Sequence, residues 1–179
     1  MLLYSLALIG IASCNNAQHA QEKMKPPTMG LTDAAFFGNV QEIKAHIAHG
    51  SDLNQKDAYG SSSLHIAALF NKSEVAKLLI NGGANINEKN AEGSTPLHTA
   101  AFFCRTEIVK ELLNKGADVH IRNYYNATAL ESISAPFDSV EPIYDQMQKD
   151  LGPLGLKLDY TQLKAARPVI ADLIKSKIK

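Results

Sequence analysis

Gly93-Ser94-Thr95-Pro96-Leu97-His98 decides the fold, because a related segment, Gly60-Ser61-Ser62-Ser63-Leu64-His65, lies 33 residues before it. The same spacing holds over a full period. Ala67-Ala68 returns as Ala100-Ala101, Leu79-Ile80 as Leu112-Leu113, and Gly83-Ala84-Asn85-Ile86 as Gly116-Ala117-Asp118-Val119. Agreement at one fixed spacing indicates stacked supersecondary units rather than a single globular core.

Four units can be aligned on this period, at about residues 29–56, 57–89, 90–122 and 123–179. Each predicts two antiparallel helices followed by a finger loop. Gly38, Asn71 and Cys104 stand at equivalent points between the two helices, where we expect a left-handed backbone. The paired alanines allow neighbouring first helices to approach closely.

The 33-residue period, with Thr95-Pro96-Leu97-His98 opening a helix, resembles the ankyrin repeat. The resemblance implies an all-α solenoid of helix-turn-helix units with β-hairpin finger loops, about four repeats long, over residues 29–179. It also implies structural roles in the motif for His65, Thr95, Pro96 and His98. The histidines would hydrogen-bond backbone between adjacent repeats, and the threonine hydroxyl would act similarly.

The first unit carries Glu42 and His46 where later units have apolar residues, which suits a cap whose outer side has no neighbour. The fourth unit has Glu131 in place of the histidine. Its second-helix pattern reappears only at residues 169–174, 28 residues late, with Pro168 expected in the first turn of that helix.

The extra residues form an insertion at 135–166 that splits the last repeat. Apolar side chains at spacings of three and four predict an amphipathic helix over residues 140–151. Asp159, followed by Gln162, predicts the start of a further short helix. We expect the insertion to be helical and to cover part of the stack.

Residues 1–14 read as a signal peptide, because residues 2–12 are almost unbroken apolar sequence yet too short to span a bilayer. Ile11-Ala12-Ser13-Cys14 looks like a bacterial lipobox, which predicts lipidation of Cys14 and anchoring to the membrane. The first residues carry no Lys or Arg, so an ordinary cleaved signal, releasing a soluble periplasmic protein, stays open. A cytoplasmic location is less favoured. Residues 15–28 predict a polar tether.

Eighteen basic and eighteen acidic residues cancel, so no net charge favours nucleic acid as a partner. With Cys14 acylated, Cys104 is the one remaining thiol and no intrachain disulfide can form. A free Cys104 in an oxidising compartment is a candidate for mixed disulfides.

No motif predicts catalysis, a metal or a cofactor. His46 and His49 are three apart but no third ligand accompanies them, and Cys104 has no evident base. Gly152-Pro153-Leu154-Gly155 lacks the Lys-Ser/Thr of a phosphate-binding loop. One alternative stays open, a small-molecule or metal-binding enzyme with its site beneath the insertion, around His98 and Cys104.

Aromatic residues follow each alanine pair, at positions that in ankyrin domains lie on the concave face and vary with the ligand. We call the two positions after each pair, which hold five phenylalanines and one leucine, the Phe strip: Phe36, Phe37, Leu69, Phe70, Phe102 and Phe103. Two hypotheses compete. The strip either binds a partner protein, as exposed apolar surfaces do, or is covered by neighbouring repeats and the predicted helix at 140–151.

The finger tips are a second candidate surface, with tyrosines suited to recognition at Tyr59, Tyr124 and Tyr125. Ordinary solvated turns are the alternative. Together these features predict a non-catalytic protein–protein interaction module, lipid-tethered in the bacterial cell envelope and facing the periplasm. Its role would be either an immunity or inhibitor protein that occludes a toxin or enzyme, or a scaffold for a resident enzyme.

Overall fold

The computed structural model describes residues 25–178. The predicted signal peptide, Cys14 and most of the tether lie outside these residues. Within 25–178 no helix is long and apolar enough to cross a membrane. The helices are α1 (Leu31–Phe37), α2 (Val40–Ala48), α3 (Ser63–Leu69), α4 (Ser73–Asn81), α5 (Pro96–Phe102), α6 (Thr106–Asn114), α7 (Ala129–Ser134), α8 (Phe137–Leu151) and α9 (Tyr160–Lys175), with a 3-10 turn at Gly152–Leu154.

These helices stack in two layers. The first helices of the four units, α1, α3, α5 and α7, pack side by side, and the second helices α2, α4, α6 and α9 form the other layer. Helix α8 belongs to neither layer. The all-α solenoid predicted from the 33-residue period is therefore confirmed.

Paired small residues explain how closely the first helices pack. Ala34, Ala67 and Ala100 are fully buried, as are their following alanines, so the first-helix backbones meet with only methyl groups between them. Large aliphatic side chains of the second helices, such as Leu79 and Leu112, fill the space behind them. One core runs from Leu31 to Ile174.

In the first three units the two helices join through the left-handed residues predicted from the alignment. Gly38 has φ 73°, Asn71 has φ 56° and Cys104 has φ 53°. Asparagine tolerates this region, whereas a cysteine there carries some backbone strain.

The finger loops are tight turns and not the β-hairpins implied by the resemblance. Among residues 25–178 the single β feature is an isolated bridge between Lys56 and Ser62. Each turn instead closes with backbone bonds such as Asn90 N to Ser94 O, at 3.0 Å. Successive fingers touch: a Cβ added at Gly60 would lie 2.9 Å from the Ala91 nitrogen, so only glycine fits there without displacing the next finger.

Polar residues of the first unit hold the chain that precedes α1. The Glu42 carboxylate accepts hydrogen bonds from the Thr28 amide and hydroxyl, at 2.8 and 2.6 Å. The Nε2 of His46 donates to the Met29 carbonyl at 2.8 Å. These two side chains thus fix residues 28 and 29 against the outer side of the first unit, in keeping with its predicted capping position.

The last unit is completed by one long helix. Helix α9 begins at Tyr160, with the Asp159 carboxylate accepting the Gln162 amide, and continues without a break to Lys175. The expectation of a short helix followed by a new one starting at Pro168 is therefore wrong, since Pro168 lies inside α9. Its side chain is exposed, so the ring meets solvent.

Candidate partner-binding surface

The motif histidines tie each finger to the next. The Nε2 of His65 donates to the Ser94 carbonyl at 2.9 Å, and His98 donates in the same way to Ala127 at 3.0 Å. Because a carbonyl only accepts, Nε2 carries the proton and Nδ1 is free to accept from Ser62 or Thr95. Burial lowers the pKa of His65 to about 4 and also lowers that of His98, so both are neutral structural groups.

Glu131 stands in the fourth unit where the histidine would be. The Glu131 carboxylate instead accepts the Thr128 amide at 2.8 Å and pairs with the Arg122 guanidinium. The hydrogen bond from Arg122 contributes most to lowering the pKa of Glu131 to about 2.

The N-terminal half of the Phe strip is open to solvent. The side chain of Phe37 is 65% exposed, and those of Phe36, Leu69 and Phe70 are half-buried. The Phe36 ring packs edge-to-face on Phe37 and on Phe70, with centroids 5.0 and 4.8 Å apart. These contacts fix three rings as a preformed apolar surface.

The C-terminal half of the Phe strip is covered by the insertion. Phe103 is only 4% exposed and lies in a second core cluster with Val140, Tyr144 and Leu163. Phe102 is half-buried, and its ring stacks on Tyr144 with centroids 4.7 Å apart. The prediction that Phe103 contacts a partner is therefore corrected: helices α8 and α9 cover it.

A buried arginine joins helices α8 and α9 where they cover Phe103, and its role was not predicted from the sequence. Arg167 in α9 is 5% exposed; it donates to the Tyr144 hydroxyl at 3.1 Å and to the Ala135 carbonyl at 2.8 Å. The Tyr144 hydroxyl then donates to the Phe102 carbonyl at 2.6 Å. Burial raises the pKa of Tyr144 to about 12, so its proton stays on the oxygen. The available signal was a basic residue between Ala166 and Pro168, directly after the insertion.

All three finger-tip tyrosines project into solvent. Tyr59, Tyr124 and Tyr125 are 81%, 76% and 73% exposed. Tyr124 also lies against the preceding finger, because a Cβ added at Gly93 would come within 2.8 Å of its ring. The finger tips are therefore accessible, and the tip that carries Tyr124 is positioned by the preceding finger at Gly93.

The remaining candidates for chemistry are engaged in structural contacts. Burial raises the pKa of the Cys104 thiol to about 11, so it is protonated and a poor nucleophile at neutral pH. His46 bonds Ser51 and Met29, and His49 donates to the Ala45 carbonyl. Across the described part of the chain, no three His, Cys, Asp or Glu side chains gather as metal ligands would.

A family model described as ankyrin repeats, in three copies, matches residues 31–123. The match spans more than half of the chain and contains the three units with regular spacing. It ends where the fourth unit begins, so the insertion and α9 lie beyond it. No curated protein matches the chain.

Proposed function

The chain belongs to the ankyrin-repeat family, whose repeats generally mediate protein–protein interaction, and on this premise we propose that it is a non-catalytic binding module. Its partner contacts the open half of the Phe strip, which is Phe36, Phe37, Leu69 and Phe70, together with the finger tips. Phe103 takes no part in this interface, because it is core.

The observation that carries the proposal is the exposed ring of Phe37, which packs on the half-buried ring of Phe36. Large apolar side chains exposed beside half-buried aromatics are typical of interface anchors. Edge-to-face packing on Phe36 holds the ring before any partner arrives. A preformed surface lowers the ordering entropy lost on association.

We further propose that the module is tethered in the bacterial cell envelope through an acylated Cys14 and faces the periplasm. The apolar segment at residues 2–12 and the lipobox-like Ile11-Ala12-Ser13-Cys14 support this location. Secretion as a soluble periplasmic protein is the alternative. Burial of Cys104 suits an oxidising compartment, since a protonated, covered thiol resists disulfide exchange.

Two roles fit such a module: an immunity or inhibitor protein that occludes a toxin or enzyme, and a scaffold for a resident enzyme. A neighbouring gene for a secreted toxin would favour the first.

Affinity capture from envelope extract tests the binding surface. Phe37→Ser should abolish capture of the partner, while Val169→Ser, a matched exposed apolar residue on α9, should leave it intact. Equal capture by both variants would refute the proposed surface.

A further inference from the structure

A cavity of about 450 Å³ lies between the finger at residues 90–94, the finger at residues 123–127 and helix α8. We call it the finger pocket. Helices α5 and α8 supply its apolar lining, and the fingers supply Glu92 and Tyr125. The apolar residues that matter here are Phe102, Val140, Ile143 and Met147. Because α8 is part of the insertion, the regular repeats alone do not form this pocket.

Most polar groups in the lining are already used inside the protein; in the part of the chain that the structure describes, the hydroxyls of Thr99 and Tyr125 are not. Both nitrogens of His98 are bonded, to Thr95 and Ala127. The Asn123 amide donates to the Ser94 hydroxyl and accepts backbone amides, while the Ser132 hydroxyl donates to Thr128. Such groups add little to ligand binding, so the pocket presents mainly apolar surface.

Glu92 is the charged group among the polar side chains of the lining that are not bonded to other described residues. It is the one charged residue in the lining, it is exposed, and its carboxylate forms no ion pair within residues 25–178. Arg122 of the next finger is occupied by Glu131. No Lys or Arg lines the pocket and its one histidine, His98, has a lowered pKa, so the charge of the pocket is complementary to a cation.

We propose that the finger pocket receives a segment of the partner protein that presents bulky apolar side chains beside a lysine or arginine. This rests on the proposed function, and it adds the chemistry of the partner. The volume is ample, since a cavity of about 150 Å³ already holds benzene. Helix α8 shows the same mode of binding within the molecule, because Val140 and Tyr144 fill the adjoining surface over Phe102 and Phe103.

A phage-displayed library of random 12-residue peptides, selected on the full chain with Cys14→Ser, tests this directly. Enriched peptides should combine Phe, Leu or Met with a neighbouring Lys or Arg. Synthetic copies should shift the ¹³C-methyl NMR signal of Met147, which lines the pocket. Met29, which packs against the first unit, should not shift and serves as the internal control.

Two exposed substitutions test the contacts. Glu92→Gln should weaken binding of the selected peptides about threefold, as for an exposed charge pair. Ile143→Lys should weaken it at least about tenfold by placing a charge in the apolar lining. Glu74→Gln and Val169→Lys, on exposed sites elsewhere, should change neither affinity nor the helical circular dichroism signal.

The proposal is overturned if no peptides are enriched, if enriched peptides are acidic or polar, or if they shift Met29 and not Met147. Dodecyltrimethylammonium below its micelle concentration is the second probe. If it shifts Met147 while no peptide does, the pocket serves a small apolar cation and the peptide assignment is wrong. Should the peptides fail while Phe37→Ser still abolishes partner capture, the pocket inference fails and the proposed function stands.

Discussion

The Tyr144 hydroxyl of α8 donates a hydrogen bond to the Phe102 carbonyl of α5, at 2.6 Å. The bond connects the insertion to a carbonyl at the C-terminal end of a first helix, where no intrahelical donor remains. Arg167 binds the same hydroxyl from the other side. The last repeat thus covers half of the Phe strip and leaves the half around Phe37 free.

Tyr144→Phe should lower the free energy of unfolding by about 1–3 kcal/mol, because it leaves one Arg167 N–H buried without a partner and leaves the Phe102 carbonyl with only a weak contact to the Cys104 thiol at 3.9 Å. Urea unfolding would measure the loss. Native-state hydrogen exchange should show faster opening in α8 than in α4. If stability and exchange in α8 were unchanged, this bond would not hold the insertion.

His65→Ala should destabilise the stack by about 2–4 kcal/mol, because it removes the bond to Ser94 and leaves a cavity between two fingers. His120→Ala is the control, since His120 is exposed. A thermal melt of both variants beside the unaltered chain gives the comparison. Equal melting temperatures for the two variants would mean that the inter-finger bond contributes nothing.

Stability should also fall as pH is lowered between about 6.5 and 4. The unfolded chain protonates His65 near its ordinary pKa of about 6.5, whereas burial holds the folded pKa at about 4. The unfolded state therefore binds more protons in this window, so stability rises with pH there. His98, whose pKa is lowered too, acts in the same direction. A urea midpoint series over this range should flatten in His65→Ala; an equally steep series would exclude His65 as a source.

Cys104 should react slowly in the folded protein. With a pKa of about 11, its thiolate fraction at pH 8 is about a hundredfold below that of an ordinary thiol. Alkylation by iodoacetamide, followed at the Cys104 peptide by mass spectrometry, should speed up by at least that factor in urea. The same rate in both conditions would show an accessible, reactive thiol.

Cys14→Ser should release the protein from the membrane fraction, since acyl chains on Cys14 are the proposed anchor. Immunoblots of fractionated cells would follow this change, with Cys104→Ser as the matched cysteine control. If Cys14→Ser stayed in the membrane fraction, lipidation of Cys14 would not be the means of tethering.

The fold could be predicted from the sequence because the same contacts recur in each regular repeat, at the same spacing along the chain. Ala67 and Ala100 occupy the same environment, so one pattern predicts both. The burial of Phe103 could not be predicted in this way, because the residues that bury it belong to the insertion and to α9, which have no equivalent in the other repeats. Arg167 is a similar case: its role depends on where α9 meets α8. The Pro168 prediction failed because an exposed proline can lie inside a helix that packing on other faces sustains.

The most direct measurement is site-specific photo-cross-linking in cells at two exposed positions, Phe37 and Val169. With p-benzoylphenylalanine at Phe37, irradiation should give one discrete adduct that contains the partner protein. The same photoreactive residue at Val169 should give none. An adduct at Val169 and none at Phe37 would contradict the assignment of the open half of the Phe strip as the binding surface.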